Sequence, residues 1–357
     1  AAQPYLNKWT PSADKKTYTV VPGTSNATCP NTTDMFPIKI KDVSAQFKVE
    51  YFMSYKIVTN VKDTKKYVLV QRGCEADPAV IGHIAAITGV TAQYTIPLSA
   101  VSLASSSYFP VFQYMGELPA IRLYMTAVMY SDNGCMHKQA ADKHTLLNPA
   151  AKGFTLNHEG GKYISKKTGE ADVAHPALDA LNIEAHFNGF AGWGVSENKI
   201  VLISDTVEES FYAVGEWSEY IAAFFNQEAK VTGLADMALK RSQVESNGIK
   251  KRFGALGIQK KVLIVDGYFN GSRWYPDGWQ LPPCKKDGVC GSATTKCGAE
   301  RWCEIVKSAG AEPMNMNLPA NWTADPYTPG GKVGGTHAQL IAFAKDADAI
   351  IIKSAAE

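Results

Sequence analysis

The chain has 357 residues, 45% of them hydrophobic and 20% charged, enough for two domains of ordinary size. Its 36 Lys and Arg nearly balance 34 Asp and Glu, a formal charge of +2, which excludes the concentrated basic face that nucleic-acid binding requires. No apolar run reaches the roughly 18 residues that a transmembrane helix needs.

Residues 1–45 are rich in Pro, Thr, Asn and Lys and read as an irregular arm. The start at Ala1, with no Met and no signal peptide, reads as a processed end. Cys29 is expected to pin the arm, with Cys74 the nearest candidate partner. A first α/β lobe is expected over 46–204. Phe47–Tyr51, Tyr55–Thr59 and Lys66–Gln71 are strand-like, and the polar turn Asn60–Lys65 makes the last two a hairpin. Ile96–Leu103 is a short apolar strand running into Ser105–Ser107, a helix N-cap. The helix spans Tyr108–Met115, with Pro110 in its first turn and Gly116 closing it. Residues 121–130 are a buried element of undecided type. Short helices are possible at Lys138–Leu147 and Pro176–Leu181, before an aromatic loop at His186–Gly194. Lys199–Ser204 is a strand.

A long helix is predicted from Asp205 to Gly233. Phe211, Val214, Trp217, Ile221, Phe224 and Phe225 recur at helical spacing, and Thr206 with Glu209 makes a capping box. With a second helix, Leu234 to Lys251, it forms an interlobe connection over 205–251. The second lobe, 252–357, begins with the parallel-type strand Lys260–Asp266, followed by the aromatic loop Gly267–Trp279. A cysteine-rich insert (284–303), a helix at Glu300–Ala309, a short strand at Glu312–Met316, a helix at His337–Lys345 and a strand at Asp348–Lys353 complete it. A doubly wound lobe would normally add another strand and helix, so the native chain is expected to continue, possibly to a membrane anchor.

Cys284, Cys290, Cys297 and Cys303 follow C-x5-C-x6-C-x5-C, too loose for the tight turns that hold structural zinc, and are read as two local disulfides. The odd seventh cysteine leaves one thiol free or paired outside the chain. Four sequons, at Asn26, Asn31, Asn270 and Asn321, agree with an oxidising route and a secreted or cell-surface glycoprotein. Motifs for a nucleophile elbow, metalloprotease helix, phosphate loop or dinucleotide fingerprint are absent, and the seven histidines show no metal-ligand spacing. The expectation is a non-enzyme without catalytic cofactor or metal. What remains is a set of aromatic, Gly-rich loops suited to a flat, partly apolar ligand. The candidate contacts are Ser106, Tyr108, Phe109, Phe190, Trp193, Tyr268, Phe269, Arg273 and Trp274.

Lys66–Gly73 (KYVLVQRG), the Ile96–Ser107 strand and turn, the Val214–Glu228 helix (VGEWSEYIAAFFNQE) and the strand from Lys261 come in an order that resembles the helical-backbone, class III periplasmic-binding-protein-like receptors. That class captures cobalamin, ferric siderophores, haem or metal ions. The cysteine- and sequon-bearing version resembles its algal, cobalamin-acquiring branch. The resemblance implies two doubly wound lobes joined by a long interlobe helix, with lobe closure on a ligand between them. It also implies a monomer that hands its ligand to a membrane uptake partner. Cobalamin is the expected transported ligand. A ferric siderophore is the alternative, for which Arg72 and Arg273 are available cations. An enzyme with an interlobe cleft would instead need a nucleophile–base pair. His186 is a candidate axial cobalt ligand.

Overall fold

The computed structural model describes residues 6–13, 18–21, 29, 34–41, 43, 45–125, 133–142, 145–147, 154–159, 162–167, 173–174, 176–189, 197–205, 208, 211–267, 274–276, 301–313, 323–324, 333–334 and 345–352. The fold is mixed α/β with parallel sheets. The chain divides into two compact units, Ala1–Val207 with Ala213–Ala235, and Glu208–Tyr212 with Asp236–Glu357.

In chain order, the arm forms β1 (Lys8–Pro11) and β2 (Tyr18–Val21), an antiparallel pair. Then come β3 (Phe47–Tyr51), β4 (Tyr55–Asn60), β5 (Lys65–Gln71), α1 (Pro78–Ala85) and β6 (Ala92–Ile96). They are followed by β7 (Val101–Leu103), α2 (Phe109–Met115), β8 (Ile121–Tyr124), α3 (Gly134–Ala141) and β9 (Leu146–Leu147). A three-stranded antiparallel sheet is built from β10 (Phe154–Glu159), β11 (Lys162–Lys167) and β12 (Val173–Ala174). After it come α4 (Pro176–Asp179), β13 (Ala185–Asn188), β14 (Ile200–Leu202), α5 (Phe211–Ala223), α6 (Glu228–Val231) and α7 (Leu234–Ala255).

Two sheets carry the first unit. One has the order β3-β4-β5-β6, antiparallel except for the parallel β5–β6 pair. Its edge strand β3 buries Phe47 and exposes Lys48 and Glu50, while β4 and β5 are buried along nearly their whole length. The other sheet, β14-β13-β7-β8-β9, is parallel throughout. Its central strands read as short buried runs, VSL, AHFN and IVL, as strands covered on both faces do.

The second unit centres on β15 (Lys261–Gly267). It pairs parallel with β17 (Glu312–Pro313) and β20 (Ala349–Ile352), and antiparallel with β16 (Trp274–Pro276). Helix α8 (Arg301–Ser308) and the pair β18 (Thr323–Ala324) and β19 (Val333–Gly334) complete its described elements.

Between the two sheets of the first unit lies α5. Trp217 packs on Phe47 at 5.3 Å and on Tyr220 at 4.8 Å, ring centre to ring centre. Phe224 meets Tyr67, Tyr94 and Phe187, and Phe225 meets Phe112. The helix joins the β3–β6 sheet to the parallel sheet through one aromatic core.

The long helix expected over 205–233 is therefore interrupted. α5 stops at Ala223, Asn226 takes the left-handed region at φ 55°, and the Gln227 amide donates back to the Ala222 carbonyl at 3.1 Å. This is a helix stop of the Schellman type, with asparagine in place of glycine. The stop frees the Ala223 carbonyl for Lys56, whose Nζ donates to it at 2.8 Å, to Asn226 Oδ1 at 2.8 Å and to Glu228 Oε1 at 2.5 Å. Lys56 is completely buried and its ammonium lies 4.5 Å from the centre of the Phe36 ring. Burial pushes its pKa down, while the Glu228 charge opposes that shift. Gly233, expected as the stop, does sit at φ 92°, but it closes the short α6. The capping residues Thr206 and Glu209 lie outside the described residues.

The arm is fastened twice. Cys29 and Cys74 form a disulfide. Trp9 Nε1 donates to the buried Glu117 carboxylate at 2.9 Å, Gln227 Nε2 donates to it at 2.6 Å, and Asn7 Nδ2 donates to the Leu98 carbonyl at 2.8 Å. Burial raises the Glu117 pKa, against the pull of these donors and of Lys230. Cys135 is a free, exposed thiol. Cys303 lies on α8, while Cys284, Cys290, Cys297 and the four sequon asparagines lie outside the described residues.

Other expectations shift more modestly. The run Ile96–Leu103 is two strands in two sheets: β6 ends at Ile96, and Pro97, with no N–H to give a ladder, separates it from β7. The undecided element at 121–130 begins as strand β8, and the helix sought at Lys138–Leu147 is α3 followed by β9. The segment 186–194, expected as a loop, begins as the buried strand β13, and 274–276 of the second aromatic loop is strand β16.

Candidate ligand-binding site

The strand order of the parallel sheet reverses between β7 and β13. From β7 the chain proceeds to β8 and β9 on one side; it then returns to β13, beside β7, and continues to β14 on the other. In open α/β sheets the connections leaving the strands' carboxyl ends diverge at such a reversal, and ligands bind in the crevice they leave. In this chain the exits are Ala104–Tyr108 after β7, Met125 after β8, Gly189 after β13 and Ile203–Asp205 after β14.

The β7 exit is a serine turn. Ser105 is extended at φ −127° and its hydroxyl accepts the Ser107 amide at 3.2 Å and donates to Ser107 Oγ at 3.0 Å. This caps the single helical turn Ser106–Tyr108, the capping role the sequence assigned to these serines. Ser106 is half-buried at the rim. Tyr108 is buried, but its hydroxyl crosses to the β14 exit and donates to Asp205 Oδ1 at 3.5 Å. Burial first, and the Asp205 charge second, hold the phenol pKa well above its ordinary value, so it stays protonated and donates. Beneath that hydroxyl runs Gly189, where a Cβ would stand 3.0 Å from Tyr108 Oη and 3.6 Å from the Ile203 carbonyl. Glycine is what lets the phenol cross from one exit to the other.

The β14 exit is rigidly held. Leu202 N donates to Tyr67 Oη at 3.0 Å, and the Leu202 carbonyl accepts from Asn60 Nδ2 and Tyr220 Oη, each at 3.0 Å. Asn60 Nδ2 also reaches Ser204 Oγ at 2.8 Å, and Ser204 Oγ donates to Asp63. Asp205 thus stands at the end of a strand locked to β4, β5 and α5 before it meets any ligand.

Of the residues selected from sequence, Ser106 and Tyr108 lie at this edge. Phe109 does not present its ring there: it is fully buried and packs on Tyr124 at 6.1 Å, because helix α2 turns it into the core. Phe190, Trp193, Tyr268, Phe269 and Arg273 lie outside the described residues, and Trp274 falls on strand β16. Gly189 and Asp205 were missed. Their only signal was position, one and three residues past short apolar strands.

His186 is not a loop residue open to a cobalt ion. It is buried on β13, directly beside its register partner Ser102, and its Nδ1 is hydrogen-bonded to the Ser102 hydroxyl. This is a serine–imidazole pair of the kind an enzyme reading would demand, yet Ser102 is completely buried and the pair fastens β7 to β13 inside the sheet. Arg72 lies at the opposite edge of the sheet. Its Nη2 donates to the Pro97 carbonyl at 3.0 Å and meets Glu184 at 3.3 Å, and Glu184 accepts the Ser99 and Ala100 amides just before β7. Among the described residues, no group of three or more His, Cys, Asp or Glu is placed to hold a metal ion, and no helix is long and apolar enough to cross a membrane.

No protein-family model and no curated protein matches the chain. Among solved structures it is similar to an ABC-type Fe3+-hydroxamate transport system protein from Saccharomonospora viridis, at 11% identity and a TM-score of 0.40, over 72% of this chain and 74% of that one. A periplasmic binding protein from Veillonella parvula is similar at 11% identity and a TM-score of 0.41, over 71% of this chain and 65% of that one. An ABC transporter substrate-binding protein from Listeria monocytogenes is similar at 10% identity and a TM-score of 0.37, over 71% of this chain and 74% of that one.

Proposed function

We propose that the chain is a secreted or cell-surface receptor that captures a small organic ligand, cobalamin, and delivers it to a membrane uptake partner. The observation that carries the reading is the reversal between β7 and β13, furnished with a serine turn and the Tyr108–Asp205 bridge. Hydroxyls and loop amides on rigid strand ends suit a ligand rimmed with amide groups, as a corrin is. The sequence resemblance adds the choice of cobalamin, and the captured ligand is cargo, with no catalytic role. Phe190, Trp193, Tyr268, Phe269, Arg273 and Trp274 keep their proposed ligand roles.

The ferric-siderophore reading draws on the transport descriptions of the similar solved structures. It relied here on two cations, and one of them, Arg72, is engaged by Glu184 at the far edge of the sheet. Calorimetric titration of the full chain separates the two. Cyanocobalamin is expected to bind one to one and to persist in excess ferric siderophore; an absence of cobalamin heat alongside saturable siderophore binding would replace the first reading with the second.

A further inference from the structure

We infer that Asp205 makes the strand-end crevice a charge filter, admitting neutral or cationic ligands and rejecting anionic ones. The inference rests on the ligand-binding reading of that crevice and goes beyond it by fixing a chemical class.

Three features converge. Along the described exits of the four strands (104–108, 125, 188–189 and 203–205), Asp205 is the one charged side chain; the rest are hydroxyls, an amide and apolar groups. Asp205 is half-buried and held at the end of a braced strand, so it cannot swing away from an incoming anion without breaking the Leu202 and Ser204 contacts that position its backbone. Behind it Asp63 holds Ser204, placing a second carboxylate on the same side. The Tyr108 phenol offers one donor, and Asp205 takes it. An anionic ligand would therefore meet a fixed negative charge whose one phenolic donor is already engaged. A ligand bearing amide N–H groups or a cation would find an acceptor prepared in advance. A fixed like charge at a partly desolvated site disfavours an anion by several kcal/mol at most, and a tenfold difference in affinity corresponds to about 1.4 kcal/mol.

The test uses the full chain and three probes: neutral cyanocobalamin, the cationic ferric trihydroxamate ferrioxamine B, and a polyanionic ferric tris-catecholate. Each is titrated calorimetrically into the unmodified protein, Asp205→Asn and Asp205→Glu. The unmodified protein and Asp205→Glu are expected to bind a neutral or cationic probe and to reject the anion. Asp205→Asn should bind the anion at least tenfold more tightly than they do. Anion binding by the unmodified protein as tight as that of the neutral probe overturns the filter while leaving ligand capture standing. So does an Asp205→Glu variant that behaves like Asp205→Asn, because the charge would then not be the cause. If none of the three probes binds the unmodified protein, the capture reading and the filter fall together.

Discussion

Replacing Lys56 with Met is expected to cost the fold about 3–5 kcal/mol, the typical penalty for removing one partner of a buried ion pair. Lys56 is completely buried and Glu228 is 2% exposed, so the carboxylate left behind has no route to water. Of its recorded partners only the Tyr51 hydroxyl, at 3.4 Å, would remain. The Ala223 carbonyl and Asn226 Oδ1 would lose their donor as well. The double variant Lys56→Met with Glu228→Gln should recover part of the loss, because it removes the orphaned charge and not only the cation. Equilibrium urea unfolding of the full chain gives both values. A single-variant loss below about 1 kcal/mol, the scale of an exposed pair, would mean that the ammonium and carboxylate reach solvent.

Trp217→Ala should be as severe, about 3–5 kcal/mol, as for other buried large rings. The indole is 2% exposed and wedged between Phe47 of the edge strand β3 and Tyr220 of its own helix. Its removal opens a void where α5 meets the β3–β6 sheet, and these aromatic neighbours are too constrained to collapse into it. Trp217→Phe keeps a ring there and should cost clearly less. Thermal melting of the two variants side by side checks this; equal melting points would show that the indole is not part of the aromatic core.

Both predictions concern α5, and α5 shows what sequence could and could not disclose. Its apolar positions were legible, because Trp217, Ile221, Phe224 and Phe225 recur at helical spacing and all are buried. Its end was not. Nothing in Phe225–Asn226–Gln227 resembles a glycine stop, and the break depends on Lys56, about 170 residues earlier in the chain, taking the Ala223 carbonyl. A spine between lobes was expected; the structure has a core helix that ties two sheets of one unit together. The strands β3, β4 and β5 were readable to within a residue, since their apolar runs sit between polar turns. β13 was not: its four residues, AHFN, run into Asn and Gly, and Phe187 and His186 looked like loop residues until the parallel pairing to β7 buried them.

The candidate site was half legible for the same reason. The serine turn at 105–107 carries a local capping signature. Asp205 gains its meaning from a strand order that no window of sequence contains, and it had been read as the first residue of a helix. Phe109, chosen for its size beside that turn, is in the core because α2 faces it inward.

Hydrogen–deuterium exchange of the full chain, with and without saturating cyanocobalamin, tests most directly that the ligand is held at the strand-order reversal. Protection gained on binding should concentrate in peptides covering 104–108, 188–189 and 203–205, and should spare the opposite edge around Arg72, Ser99 and Glu184. Protection that spares those three exits, or that gathers at the Arg72 edge, would contradict the account.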